Sequence, residues 1–229
     1  MIDSHGWFDW MIRDPGPLTK TNGGINTVEM CIPHSAEGYW PHLQTLLHSE
    51  ARRASWMFSN LQDGRCFQHY SIYAQVWGSG SGRPNNAGVM WENEGVAGEP
   101  FTQAQTDNCV RIIREVSDLR GWTPRRPNSA TDLTATLYEH RECVRFGSEA
   151  TACPSGRVPW TEIMGALKQE EDEMKVLRVW CKERGKTYLT DGVRAVEVMT
   201  TEDDKQFELL YGAHAAVLSG AQVDAMIAS

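Results

Sequence analysis

The stretch TQAQTDNCVRIIREVSDLRG, from Thr102 to Gly121, contains the clearest helical pattern in the sequence. Thr102 and Gln105 have the spacing of a capping box, in which two side chains satisfy the free backbone N–H groups at a helix start. Apolar residues then share one helical face up to the glycine, at Cys109, Ile112, Ile113, Val116 and Leu119. The stretch therefore predicts an amphipathic helix that packs on a hydrophobic core.

Strand-like segments precede this helix. The run NTVEMCI (26–32) ends at Pro33 and His34, and NNAGVMWENEG (85–95) is bounded by asparagine and glycine. The stretch SWMFSNLQDGRCFQHY (55–70) alternates around an Asp-Gly pair, which is a strong signal for a β-hairpin. The run YWPHLQTLLHSEARRA (39–54) has leucines at helical spacing. Together these segments predict a mixed α/β domain.

The composition changes after Trp160. The acidic, helix-favouring run TEIMGALKQEEDEM predicts a helical connector at 162–174 between a first domain at 1–161 and a small module at 175–229. In that module, the alternating runs KVLRVW, KTYLT and VRAVEVM predict a small three-stranded sheet. The run TEDDKQFELLYG (201–212) carries acidic residues in its first turn and predicts a helix.

The bulk properties exclude several classes of protein. With 229 residues, 41% of them hydrophobic and 23% charged, the chain can bury a full core. Its formal net charge of −8 argues against a nucleic-acid-binding protein and against binding to an anionic membrane. No run approaches a membrane span, and residues 1–24 lack the apolar core of a secretory signal, so we expect no membrane insertion and synthesis in a cytoplasm. The six scattered cysteines are expected to be reduced thiols.

Three residues have the chemistry of metal ligands. His34 follows a strand, and the stretch YEHRECVRFGSEATACPSG places His140 and Cys153 on either side of a loop. Zinc hydrolases use three ligands drawn from histidine, cysteine and carboxylate, and keep a fourth position open for water. By spacing alone, however, a histidine at a strand end and a His/Cys pair across a loop are more often ordinary surface or packing residues.

Six segments of the sequence, taken in order, favour the metal-site interpretation. They are PHSAEG, ASWMFSNLQDGRCFQHY, NNAGVMWENEG, EPFTQAQ, EHRE and ATACPSG. In this order and at these separations, they resemble the phage-type zinc N-acetylmuramoyl-L-alanine amidases, whose fold is shared with peptidoglycan recognition proteins. The resemblance covers about Asn26 to Trp160. It implies a central mixed β-sheet flanked by helices, with a Zn²⁺ ion held by His34, His140 and Cys153 in a groove on one face.

The resemblance also implies a reaction and its catalytic groups. Peptidoglycan would be the substrate, and the cleaved bond would be the amide between muramic acid and the first L-alanine of the stem peptide. Glu92 matches the general base of the family, whereas strand alternation alone does not separate it from Glu94. Thr151 stands where several relatives carry lysine, and its hydroxyl is expected to stabilise the oxyanion. The expected substrate groove includes Trp56, His69, Trp77 and Asn86; Trp56 replaces a tyrosine of many relatives and can only donate a hydrogen bond.

These features together resemble an endolysin of phages that infect actinobacteria. Such an enzyme accumulates in the host cytoplasm and is released to the cell wall through an opening made by a holin. The small C-terminal module would then bind the cell wall, or else serve packing or oligomerisation. Two alternatives stay open: a cytoplasmic bacterial amidase that recycles wall fragments, and a non-catalytic peptidoglycan-binding protein.

Overall fold

The computed structural model describes residues 1–80, 82–173, 177–181, 186–190, 195–197 and 216–218. The chain divides into two compact units, Met1–Gly165 and Ala166–Ser229. The first unit contains the strands β1 (Ile12–Arg13), β2 (Thr21–Ile25), β3 (Met30–Ser35), β4 (Phe58–Asn60), β5 (Cys66–Gln68), β6 (Ala74–Val76) and β7 (Gly88–Asn93). Its helices are α1 (His42–His48), α2 (Arg83–Ala87) and α3 (Gln103–Arg120), with short 3-10 helices at Leu18–Lys20 and His140–Phe146. Helix α4 (Trp160–Glu173) spans the boundary between the units.

A mixed five-stranded sheet forms the centre of the first unit, in the spatial order β1-β5-β4-β7-β3. Strands β3 and β4 both run parallel to the central strand β7, whereas β4 and β5 are antiparallel. Strands β2 and β6 form a separate antiparallel pair. The expected central mixed sheet flanked by helices is therefore confirmed.

Helix α3 forms as its sequence predicts. The Thr102 hydroxyl accepts a hydrogen bond from the Gln105 N–H at 3.2 Å, and the Gln105 side chain accepts one from the Thr102 N–H at 3.1 Å. Gly121 ends the helix in the left-handed conformation, with φ of 65°. The apolar face is buried, except that Leu119 is exposed.

Helix α3 covers the sheet face that carries Asn60 and Asn93. The Asn60 side chain donates to the Gln105 carbonyl at 2.9 Å, and the Cys109 thiol lies 3.5 Å from the Asn93 side-chain oxygen. Because side chains alternate between the two faces of a strand, the residue before Asn93 points to the opposite face. That residue is Glu92, so α3 leaves the face of the candidate site uncovered.

The other local predictions differ in accuracy. The hairpin around Asp63 and Gly64 is confirmed, since β4 and β5 pair antiparallel with Asn60 opposite Cys66. The predicted helix at 39–54 is shorter, because α1 ends at His48. The predicted strand at 85–95 begins only at Gly88, since its first asparagines belong to the short helix α2.

The described part of the second unit contains one four-stranded sheet. Its strands are β8 (Leu177–Cys181), β9 (Lys186–Thr190), β10 (Ala195–Glu197) and β11 (Ala216–Leu218), in the order β10-β9-β8-β11. The three expected strands pair antiparallel, and β11 adds to β8 in parallel. The helix predicted at 201–212 lies outside the described residues. No helix in the described ranges has the length and apolar character needed to cross a membrane.

Candidate metal centre

Strand pairing brings the first two candidate ligands to one end of the sheet. His34 lies beside Glu92 in the parallel pairing of β3 with β7. Leu137 forms a parallel bridge with Cys31 of β3, and the Tyr138 N–H donates to the Cys31 carbonyl at 3.0 Å. The chain therefore follows β3 in the same direction, and His140 arrives next to His34. Their ring centres are 4.4 Å apart.

Two backbone contacts fold the loop after His140 back onto this point. The Arg141 N–H donates to the Cys153 carbonyl at 2.7 Å, and the Ser35 N–H donates to the Cys153 sulfur at 3.3 Å. Possible ligand atoms of His34, His140 and Cys153 consequently all lie within 4.8 Å of one another. Tetrahedral zinc places nitrogen and sulfur ligands about 3.5 Å apart, so binding one ion would draw the more distant of these atoms together by about 1 Å. Within the described ranges, no other group of this kind is found.

The protonation states suit a metal site. Burial, and then the neighbouring His140, hold the pKa of His34 well below its usual value, and burial also lowers the pKa of His140. Both rings are thus neutral, as metal ligation requires. Burial raises the pKa of the Cys153 thiol, a shift that a bound cation would oppose by favouring the thiolate. The Nε2 atom of His34 is buried without a hydrogen-bond partner, which fits a ligand position.

Glu92 lies beside this group with an unsatisfied carboxylate. One oxygen is 3.8 Å from His34 Nδ1, and the other is buried without a hydrogen-bond partner. Burial raises the pKa of Glu92 to about 8. With this pKa the carboxyl group is mostly protonated at neutral pH, and a neighbouring cation would favour the ionised carboxylate, which can then accept a proton.

Glu94 is bonded quite differently, although it is only two residues away. Its carboxylate accepts hydrogen bonds from the backbone N–H groups of Trp40 and Gln62, each at 2.8 Å. These bonds join the segment after β3 and the segment after β4 to the end of β7. Glu94 is therefore a structural residue, because both of its carboxylate oxygens accept backbone hydrogen bonds.

The Gly/Ser-rich loop that contains Ser79 supports His140. The His140 ring hydrogen-bonds the backbone of Ser79. Ser79 is itself fixed by Asn85, whose side-chain oxygen accepts from the Ser79 N–H at 3.0 Å and from its hydroxyl at 2.9 Å. Sequence reasoning missed both residues, since a Gly/Ser-rich loop and a pair of asparagines carry no ligand signal. The same applies to Ser35, whose only sequence signal is its place after His34.

Thr151 and Trp77 lie close in the chain to residues of the site. The Thr151 oxygen accepts from the Cys153 N–H at 3.1 Å, which leaves its hydroxyl hydrogen for donation. Trp77 is half-buried, two residues before Ser79, and the Arg53 guanidinium lies 6.0 Å from its ring centre. The oxyanion role expected of Thr151 and the groove role expected of Trp77 stay predictions.

Trp56 and His69 are enclosed. The Trp56 indole donates to the Ser59 hydroxyl at 2.9 Å, and this hydroxyl is 2.8 Å from His69 Nε2. The other ring nitrogen of His69 is 2.8 Å from the Asp14 carbonyl oxygen. His69 is 1% exposed and Trp56 is 6% exposed, so His69 does not line an open groove, and Trp56 acts as a hydrogen-bond donor to the protein itself.

Asn86 also lies away from the candidate site. It is exposed at the end of α2, six residues before Glu92 and thus at the opposite end of β7. Its side-chain oxygen is 3.4 Å from the Asn22 side-chain nitrogen. The structure therefore does not bring Asn86 to the ligand group, and the neighbouring Asn85 is the asparagine that supports it.

Comparisons with known proteins agree with this geometry. Residues 25–156 match the family model described as N-acetylmuramoyl-L-alanine amidase. Among solved structures, a mutant endolysin from Bacillus subtilis has a TM-score of 0.52 at 16% identity, covering 73% of this chain and 99% of its own. The endolysin amidase LysCS from Clostridium intestinale has a TM-score of 0.50 at 15% identity, covering 71% and 98%.

A further solved structure, an AmpD derivative, has a TM-score of 0.50 at 17% identity and covers 73% of this chain and 98% of its own. At these identities the likeness shows a shared fold. No curated protein matches the chain significantly. The family match spans more than half of the chain and contains His34, His140 and Cys153. The chain therefore belongs to the N-acetylmuramoyl-L-alanine amidase family.

Proposed function

We propose that this N-acetylmuramoyl-L-alanine amidase cleaves peptidoglycan with the help of a zinc ion held by His34, His140 and Cys153. The observation that carries the proposal is the convergence of two neutral imidazoles and a thiol beside a carboxylate with one buried oxygen that has no hydrogen-bond partner. Nitrogen and sulfur donors in this number are typical of catalytic zinc sites, which keep a fourth position open. A bound zinc ion would polarise the scissile carbonyl and make water more acidic.

The protein's own residues then move the protons and stabilise charge. Glu92 accepts a proton from the attacking water as the oxygen bonds to the carbonyl carbon. It returns this proton to the amide nitrogen when the carbon–nitrogen bond breaks. The products are a carboxylate on the lactyl group of muramic acid and an alanine with a free amino group. The Thr151 hydroxyl donates to the oxygen that becomes negatively charged during attack.

We further propose a phage endolysin as the biological role. The fold is shared with two solved endolysins, and the second unit provides a separate sheet that can serve as a wall-binding module. Such an enzyme is made in the host cytoplasm and reaches the wall through a holin opening. A cytoplasmic bacterial recycling amidase is the second candidate, because the fold is equally similar to the AmpD derivative. Lysis of intact walls supports the first role, and cleavage restricted to soluble fragments supports the second.

Digestion of purified peptidoglycan tests the proposed reaction. The digest should gain free alanine amino groups, measured by end-group labelling, without gaining reducing sugar ends. Removing metal with a chelator should stop the release, and added zinc should restore it. New reducing ends would indicate a glycosidase instead. Binding without any release would favour a non-catalytic wall-binding protein, the third possibility raised by the sequence.

A further inference from the structure

Arg157 is a buried cation with an unusual set of partners. Its side chain is 6% exposed. Nε donates to the Glu99 carbonyl at 2.8 Å, and Nη2 donates to the Glu94 carbonyl at 2.9 Å. Nη1 donates to the Ser35 hydroxyl at 2.8 Å and to the Asn93 carbonyl at 3.2 Å. The planar guanidinium thus bonds four separate residues in one fixed arrangement.

Two of these four partners stand directly after candidate site residues in the sequence. Ser35 comes directly after His34, and Asn93 comes directly after Glu92. Arg157 itself comes four residues after Cys153, and its N–H donates to the Pro154 carbonyl at 3.1 Å. One side chain therefore joins the carboxyl ends of β3 and β7 to the loop that carries the cysteine.

The contact with Ser35 extends to the cysteine sulfur. The Ser35 hydroxyl accepts from Arg157 and donates to the Glu37 carboxylate at 2.7 Å, so both its hydrogen-bonding roles are filled. The backbone N–H of this same serine donates to the Cys153 sulfur at 3.3 Å. Because two hydrogen bonds fix the Ser35 hydroxyl, they also fix the orientation of the Ser35 backbone N–H towards the Cys153 sulfur. Such donors to a ligand sulfur stabilise its thiolate form.

Stability alone is a poor explanation for this arginine. The four hydrogen-bond acceptors of its side chain are neutral oxygens, and burial lowers the pKa of Arg157 although the carboxylates of Glu37 and Glu99 partly oppose this shift, so burying the cation is costly. The neighbouring backbone leaves space for the guanidinium at Gly95, because a Cβ at this position would overlap Nη2 of Arg157. Gly95 also has a φ of 113°, a conformation that favours glycine.

We propose that Arg157 is a positioning residue of the metal centre. Its guanidinium fixes His34 and Glu92, through the residues that follow them, relative to the loop of Cys153. The ligands are thereby preorganised before metal binds, which raises metal affinity. This inference rests on the proposed zinc site, and it adds a residue whose side-chain hydrogen bonds go to residues other than the three proposed ligands.

The test compares zinc affinity between variants, measured by competition with a chelator of known affinity. Arg157→Lys keeps the charge but loses the planar fork, and we expect zinc affinity to fall about 10- to 100-fold. Lys20→Met is the control. Lys20 is also buried, and it donates to the carbonyls of Leu46, Leu47 and Ala54, none of which adjoins a candidate ligand in the sequence. This control should lose stability to denaturant while keeping its zinc affinity.

A second variant covers the case in which Arg157→Lys does not fold. Ser35→Ala removes the hydroxyl between Arg157 and Glu37 but keeps the backbone N–H, and we expect a zinc affinity several-fold below that of the wild type. If both variants fold, their effects should be non-additive, since they break one chain of contacts. Unchanged zinc affinity in every folded variant would overturn the inference alone. A wild-type protein that binds no zinc would overturn the proposed metal site and the inference with it.

Discussion

Glu92 and Glu94 show how two carboxylates on neighbouring positions acquire different roles. Glu94 accepts two backbone hydrogen bonds, whereas Glu92 has a buried oxygen without a partner beside the ligand group. We expect Glu92→Gln to lower kcat by a factor of about 10²–10⁴ with zinc content unchanged, because the amide cannot accept a proton. Steady-state kinetics with a soluble muramyl peptide and metal analysis measure both quantities.

Glu94→Gln is the matched variant for this comparison. It keeps one of two acceptor oxygens, so the free energy of unfolding should fall by about 1–2 kcal/mol while kcat stays near the wild-type value. A catalytically dead Glu94→Gln combined with a normal Glu92→Gln would show that the base has been assigned to the wrong residue. Normal turnover in both variants would remove a carboxylate base from the reaction.

His69 gives the protein a pH-dependent stability away from the metal centre. Burial, only partly offset by Asp14, lowers the pKa of His69 to about 4, below its ordinary value of 6.5. The unfolded chain therefore binds a proton in this range that the folded chain does not, and stability falls as the pH decreases below about 6.5. From pH 7 to pH 5 the loss due to His69 should be about 2 kcal/mol.

The variant His69→Gln isolates this contribution. Glutamine is neutral throughout and retains hydrogen-bonding atoms for Ser59 and Asp14. Urea unfolding at the two pH values should therefore show a smaller pH dependence in the variant than in the wild type, whatever its absolute stability. Equal pH dependence in both proteins would mean that His69 is not buried as a neutral ring.

At the scale of elements, helix α3 depends on its first turn. The Thr102 hydroxyl both accepts from the Gln105 N–H and donates to the Gln62 carbonyl at 2.9 Å. Thr102→Ala should lower the free energy of unfolding by about 1 kcal/mol, because it leaves a helix N–H without its cap. Gln103→Ala, at an exposed position of the same turn, should change it by less than about 0.5 kcal/mol. Denaturant titration of both variants checks the difference, and equal effects would contradict it.

Local sequence patterns predicted those elements whose determinants are close together in the chain. The capping box and apolar face of α3 are of this kind, and so is the Asp63-Gly64 turn between β4 and β5. The ligand set was predicted from the order of six segments, since nothing in the spacing of His34, His140 and Cys153 shows that β3 and the 137–138 segment lie side by side.

Contacts between segments that are distant in the chain could not be predicted from the sequence. The hydrogen bonds from Arg157 to Ser35 and Asn93 span 122 and 64 residues, and no local pattern indicates them. The hydrogen bond between the His69 ring and the Asp14 carbonyl likewise joins residues that are 55 positions apart. The resemblance implies a groove role for Asn86, whereas the structure places this residue in the short helix α2 before β7.

At the scale of the molecule, the two units are expected to divide binding from chemistry. A chain truncated after residue 173 keeps the whole family match and all candidate site residues. It should cleave a soluble muramyl peptide at the wild-type rate but sediment less with insoluble cell walls, because tethering raises the local enzyme concentration. Equal sedimentation of both proteins would assign the second unit to packing or oligomerisation instead of wall binding.

Zinc content is the measurement that tests the central claim most directly. Purified wild-type protein should contain about one zinc per chain, and Cys153→Ser should lose both the zinc and the release of alanine amino groups. Cys66→Ser, which changes a buried cysteine of β5, is the control and should retain both. Full zinc occupancy in Cys153→Ser, or a fully active wild-type protein without metal, would contradict the assignment of His34, His140 and Cys153 as the metal centre.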